Sequence, residues 1–286
     1  MSARPERWSE KLATALVMVV SWGALFVLVA IVGFVAYRGA AVLSWEFLTQ
    51  PMRSGMRGGG IAPAIVGSLC VTAVALGVGG LIGTAAGAYL SEFTRSRQVR
   101  QLLTFFVTTL AGIPSIVYGL FGLALFVVAL GLGASILAGG LTLALLSLPL
   151  LIRNAQEAFA GVPAPLKEAS IGLGASEWQT FWRITLRMAL PRLLTGFVLA
   201  TGRVLGETAP VLFTVAAYYL PVYPQSLFEP TMLLPYHLYA LITSGTHIQE
   251  TYPMAFGTAL VLLILTLVFT LGATYFRYRL KTLSRV

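Results

Sequence analysis

Apolar residues in this chain come in runs too long for the core of a soluble domain. Residues 12–37 carry no charge and follow Arg4, Arg7 and Lys11. A bilayer-spanning helix needs about 20 apolar residues, and the apolar core of a signal peptide only about 7–15. The run therefore predicts an uncleaved first span. Residues 64–90 form a second, with Pro63 at its entrance, where a missing N–H costs least. Between Arg100 and Arg153 lie 52 uncharged residues, too many for one helix. They fit two spans joined by a tight turn near Gly131, Gly133, Gly139 and Gly140. Residues 193–220 make a fifth span and 254–276 a sixth. The expected fold class is an all-α membrane protein with one transmembrane domain over 12–276, tails at 1–11 and 277–286, a cytoplasmic loop over about 153–192 and an outer loop over about 221–253.

Composition agrees. Apolar residues make up 57% of the 286 and charged ones 10%, with a mean hydropathy of +0.85. Soluble domains carry roughly 25% charged residues, so a soluble enzyme, a disordered tail and a nucleic-acid-binding domain are excluded. Charge then orients the spans. With six crossings, fifteen of the 19 basic residues fall on one side, and the net +9 resides there. By the positive-inside rule that side is cytoplasmic, facing anionic lipid, and both termini lie on it.

Energy sources are narrowed by what is missing. Lys11, Lys167 and Lys281 all lack the preceding glycine that a phosphate-cradling P-loop requires. There is no Asp to form an aspartyl-phosphate. The lone Cys70 cannot build a disulfide within the chain, and His237 and His247 read as wet residues of one outer loop rather than metal ligands. No metal site is expected. A passive pathway, an ion-coupled carrier and a subunit driven by a separate motor remain open.

The loop after the fourth span has the most specific pattern. Pro165 sits near a helix start; Leu166, Ala169, Ser170 and Leu173 recur on one small-residue face; Gly174 ends that helix. Ser176 can cap a second short helix bearing Trp178, Phe181, Trp182 and Thr185 on one side and Arg183 and Arg187 on the other. Two short helices at an angle would make a protruding knob. The run Glu168-Ala169-Ser170, then Gly174, Ile184 and Leu186, resembles the EAA loop of ABC-importer permeases, with Ser170 for the second Ala and Arg187 where that family has Pro. The resemblance implies a type I (MetI-like) permease fold, in which Lys167, Glu168, Ala169, Ser170 and Gly174 belong to a coupling helix seated in a separate ATP-binding subunit.

A charge pair inside the fifth span is the second candidate site. Arg203 and Glu207 are four residues apart, hence on one helix face. Each costs about 2.5–3.5 kcal/mol at the bilayer centre, whereas an exposed i,i+4 pair returns only about 0.2–0.5 kcal/mol. The pair therefore reads as lining a translocation route, Arg203 offering its fork to an oxyanion and Glu207 tempering the grip. Pro210 cannot bond the carbonyl of Gly206, so the helix should kink or open there. Pro114 should bend the third span, where Ser115 and Tyr118 offer hydroxyls; Gly79, Gly83 and Gly87 form a close-packing stripe; residues 234–242 read as a short surface or re-entrant helix.

The segments Gly202-Arg203…Gly206-Glu207-Thr208-Ala209-Pro210, Gly59-Gly60-Ile61…Pro63 and Gly112-Ile113-Pro114-Ser115 resemble phosphate-specific permeases of the PstA type. That resemblance implies a pathway formed by Arg203, Glu207, Thr208, Ser115 and Tyr118 in a prokaryotic inner membrane. It also implies a homologous permease PstC, two copies of the ATPase PstB that bind ATP and Mg, and an external phosphate-binding protein PstS. Another oxyanion such as molybdate or sulfate, and a self-contained carrier using Glu207 as its proton site, are the alternatives.

Overall fold

The computed structural model describes residues 8–243 and 248–283. Helix α1 (Trp8–Ala40) leads to a short helix α2 (Trp45–Thr49) and a two-stranded hairpin, β1 (Met52–Arg53) with β2 (Gly58–Gly59). Then follow α3 (Ala62–Ala88), α4 (Arg97–Ala111), α5 (Ser115–Gly122), α6 (Ile136–Ala160), α7 (Ala164–Gly172), α8 (Glu177–Thr180), α9 (Leu186–Gly206), α10 (Ala209–Thr214), α11 (Leu234–Thr243) and α12 (Ile248–Leu283). Wider π-helical turns extend α3 through Tyr89–Phe93 and α5 through Leu123–Ala129, and join α8 to α9 through Phe181–Thr185.

Among the described residues, five helices are long and apolar enough to cross a membrane: Leu12–Ala40, Ala62–Phe93, Ile136–Ala160, Glu177–Gly206 and Thr251–Arg279. The expected third span is a broken element instead, Arg97–Ala111 and Ser115–Ala129 meeting at 96°. Pro114 causes the break: it lacks an N–H, disfavours a helical conformation at the residue before it, and starts α5 from an extended ψ of 141°. Counting that pair as one crossing gives six. Of the turn glycines, Gly131 and Gly133 make the turn, both at φ +65°. Gly139 and Gly140 lie in α6, where side-chain carbons of Val215 and Val74 come to 2.5 Å from where a Cβ would sit.

The α3–α6 pair is the axis of the molecule. Gly79, Gly83 and Gly87 face Ala144, Leu151 and Ala155 across it, and a Cβ on Gly83 would come 2.7 Å from that of Leu151. The stripe thus works by letting two backbones approach, with small side chains maximising van der Waals contact where no hydrophobic drive operates. Gly87→Val should cost at least about 1–3 kcal/mol through overpacking, because a Cβ there already overlaps Ala155 and the Ile152 carbonyl. Unchanged thermal unfolding of that variant in detergent would show the contact to be slack.

The fifth span differs most from the sequence expectation, running Glu177–Gly206 rather than 193–220. Its lower part was masked by Arg183, Arg187 and Arg192, counted as loop charges. Arg183 and Arg187 sit on the exposed side of a helix whose Phe181, Thr185 and Ala189 are buried, an arrangement open to long side chains that reach water. The predicted second knob helix is consequently the beginning of this span, and the loop contracts to residues 161–176. The sixth helix is likewise longer, extending through the expected tail to Leu283.

Outside the spans, α2, the hairpin and α11 form a cap at one end of the bundle around Phe47, Met52, Met56, Ile61, Met232, Leu234 and Leu241. The helix expected at 234–242 is present, but Leu234, Pro235, His237, Ala240 and Leu241 are buried. His237 is therefore no wet loop residue. It is fully buried, its Nδ1 lies 3.1 Å from the Thr258 hydroxyl, and its Nε2 has no partner among the described residues. His247 lies outside the described residues. Burial pushes the His237 pKa down to about 4. The unfolded chain then takes up a proton near pH 6.5 that the folded chain refuses, so stability should fall as pH drops from 6.5 towards 4, by about 3 kcal/mol in total. His237→Gln should flatten that part of the pH–melting profile; an identical slope in both proteins would contradict the assignment.

Candidate functional site

Two places concentrate chemistry, a cavity beside the α4–α5 break and the knob formed by α7 and α8. The cavity, of about 210 Å³, is walled by Leu110, Ala111 and Ile113 at the break, Tyr118 of α5, Leu146, Pro149, Leu150 and Arg153 of α6, and Arg203 of α9. Each wall follows from a local interruption. The Tyr118 hydroxyl donates to the Leu110 carbonyl at 2.9 Å, stitching across the break. Pro149 sits inside α6 and withdraws one hydrogen bond from that helix. Because Pro210 opens α9 after Gly206, Glu207 has extended backbone (φ −73°, ψ 130°) and α10 starts two residues later.

Arg203 Nε donates to Glu207 Oε1 at 3.3 Å, the guanidinium side chain 43% exposed and the carboxylate side chain 17%. The pair therefore exists, but across a helix end rather than along an intact face. Glu207 also borders a small crevice beside Ser68, Thr72 and Leu233, so its carboxylate stands between the cavity arginine and the α3 side. A second guanidinium reaches the same cavity: Arg153, which donates to the Thr108 hydroxyl of α4. Two arginines against one glutamate give the site a positive surplus, suited to a planar-fork grip on an oxyanion.

Of the five predicted pathway residues, Arg203 and Tyr118 line the cavity and Glu207 bonds Arg203. Ser115, at the start of α5, and Thr208, which precedes α10, are not among the cavity's walls. Arg153 escaped the sequence reading because its charge served as an end marker for a span. One signal could have found it: the uninterrupted apolar helix pattern continuing past it to Ala158 and Phe159.

At the knob, Pro163 precedes α7, Gly174 turns the chain at φ +89°, and Ser176 with Gln179 forms a reciprocal capping box. Gly174 is needed there, since side-chain-bearing residues rarely adopt that conformation. The Ser170 and Thr180 hydroxyls meet at 2.9 Å, closing α7 onto α8. Glu168 and Ala169 face outward, and Leu166, Ile171 and Leu173 are exposed, Leu173 at 90%. Lys167 instead turns inward: its Nζ lies 2.8 and 2.9 Å from the two carboxylate oxygens of Glu92. The Arg95–Glu177 pair nearby is exposed at 86% and 63%, the kind of surface bridge that contributes little.

Comparison with known proteins places this architecture. The chain is 31% identical over 278 residues to a probable ABC transporter permease protein, YqgI, of Bacillus subtilis, covering 93% of this chain and 94% of that one. It is 39% identical over 212 residues to a probable phosphate transport system permease protein PstA of Methanocaldococcus jannaschii, covering 73% of each. With PstA of Xylella fastidiosa the identity is 32% over 236 residues, covering 82% and 81%. Among solved structures, a bacterial ABC transporter importing alginate shares the fold at a TM-score of 0.64 and 16% identity, over 94% of this chain and 95% of that one. The MetNI methionine ABC transporter in an inward-facing form gives a TM-score of 0.59 at 18% identity, over 76% and 94%. Residues 79–282 match the family described as binding-protein-dependent transport system inner membrane component. A helical, multi-span chain with a knob beyond its fourth long segment is thus a permease component and not an enzyme by itself: it belongs to the binding-protein-dependent inner membrane components of ABC importers.

Proposed function

We propose that this permease carries inorganic phosphate inward, as half of a pathway completed by a homologous subunit of the PstC type. The observation that carries the reading is the convergence of Arg153 and Arg203 on one cavity held by a single glutamate. Two relatives named as phosphate permeases support the cargo. In this reading Arg203 is a transient anion waypoint and Glu207 its counter-charge, which competes with the anion for the guanidinium and so prevents a trap. Tyr118, Ser115 and Thr208 supply hydroxyls along the approach.

The chain's own part in energy use is mechanical. PstB-type subunits would bind ATP and Mg and receive α7, with its exposed Glu168, Ala169 and Leu173, while a PstS-type protein delivers phosphate at the outer cap. Both termini then face the cytoplasm, where the basic excess lies. A ligand can shift the access equilibrium only by binding its two states unequally, so the counter-charge arrangement must differ between outward and inward forms.

Cargo identity is tested by ATP hydrolysis in the reconstituted four-component complex. Phosphate with its binding protein should stimulate turnover, and sulfate or molybdate should not. Stimulation by molybdate or sulfate in place of phosphate would move the assignment to that oxyanion; phosphate uptake by the chain alone in liposomes would replace the motor-driven reading with an ion-coupled carrier.

A further inference from the structure

Lys167 is on the helix expected to grip a motor subunit, yet its ammonium points into its own chain. Besides both Glu92 oxygens at 2.8 and 2.9 Å, it reaches the Phe159 carbonyl at 3.4 Å. Side-chain exposure is only 21% for Lys167 and 14% for Glu92. Glu92 belongs to the π-helical turn that ends the α3 span, and Phe159 to the last turn of α6. One ammonium therefore ties α7 to the inner ends of both helices of the glycine-packed pair. The Ser91 hydroxyl donates to Glu92 Oε1 at 3.1 Å and fixes the carboxylate from its own side.

We propose that Lys167 and Glu92 are positioning residues for coupling: a strap that makes α7 move as one body with α3 and α6. The inference rests on the transport reading above and deepens it. Three physical points carry it. A half-buried charge pair with both carboxylate oxygens engaged is much less screened than a surface bridge. It lies off the chain connection, since Glu92 is 75 residues from Lys167 in sequence. And α3 and α6 pack with their backbones close together at Gly83 and Gly87, so the two helices the strap touches form one tightly packed pair. Displacement of α7 thus reaches α6, whose Leu146, Pro149, Leu150 and Arg153 wall the anion cavity. Without the strap, α7 keeps the residue 161–163 connection, the Ser170–Thr180 contact and its packing on α8 and the Phe181–Thr185 turn, none of which is a charged tie to α3 or α6.

The test uses the assembled transporter with its ATPase, partner permease and binding protein. Lys167→Met and Glu92→Gln should each lower phosphate transported per ATP hydrolysed by about tenfold, with ATPase subunits still bound. The exchanged pair Lys167→Glu with Glu92→Lys should recover most of that ratio. In a Cys70→Ala background, Lys167→Cys and Glu92→Cys joined by a bis-maleimide linker should also transport, because the two sites need not separate during the cycle. Single variants with a wild-type ratio, a charge exchange no better than its worse single change, or abolition of transport by the linker would each overturn the strap. Failure of the unaltered complex to move phosphate would instead indict the cargo assignment, and binding-protein stimulation of ATP hydrolysis then reads the strap independently of cargo.

Discussion

Arg203→Ala is expected to lower phosphate uptake by about ten- to a hundredfold without loss of subunit assembly. The magnitude is that of one charge-assisted hydrogen bond, about 1.5–3 kcal/mol, converted at 1.4 kcal/mol per decade. Removing the guanidinium also strands Glu207, whose carboxylate side chain is only 17% exposed, without its cationic partner. Loss of uptake could then come from a distorted site rather than a lost anion contact. The pair Arg203→Ala with Glu207→Gln separates the two, since it relieves the stranded charge but restores no anion contact. Uptake should stay low in that double variant. Arg203→Lys keeps the charge and loses the fork, so it should fall between. Glu207→Gln alone should lower both KM and kcat, because an untempered arginine holds its anion longer. Normal uptake by Arg203→Ala would remove the residue from the pathway.

The second large effect is expected at the tip of the knob. Leu173 is 90% exposed, and Leu166 and Ile171 beside it are exposed as well. An apolar patch on an otherwise wet protrusion marks an interaction surface. Leu173→Asp should leave the melting temperature of the isolated chain within the range of ordinary surface changes, about ±0.5 kcal/mol. In the complex it places a charge where an apolar side chain would be buried. Burying leucine is worth about 1.5–3 kcal/mol, so ATPase affinity should drop by at least about tenfold, and transport with it. Gly174 is a poorer probe of the same surface, because its φ of +89° strains any side-chain-bearing residue before the partner is met. Undiminished ATPase binding by Leu173→Asp would take α7 out of the interface.

Much of this molecule was legible from residue spacing because the signals are strong ones. Long uncharged runs located five spans, Pro63 marked a helix start, Pro114 and Pro210 marked breaks, and the glycine stripe on α3 found its close partner in α6. The Arg203–Glu207 pair was legible because membrane charges are costly enough to need a reason. The misplaced helix bounds share one physical source: charge was treated as a boundary. Arg153 was set at a span end and Arg183, Arg187 and Arg192 in a loop, although arginine side chains are long enough to sit on a continuing helix and reach polar surroundings. His237 reads from sequence as part of an outer loop, when its surroundings are decided by α11 packing on α12 and by Thr258. The Lys167–Glu92 bond was invisible for a different reason, since no local pattern reports a contact across 75 residues.

The account stands on one claim, that this chain holds the route while another subunit supplies the force. Proteoliposomes containing the chain alone, loaded with ATP and given an outward phosphate supply, measure that claim directly when compared with vesicles holding the complete assembly. Accumulation against a gradient is predicted only in the complete vesicles, and only with ATP on the knob side and binding protein on the other. Concentration of phosphate by the chain alone would contradict it.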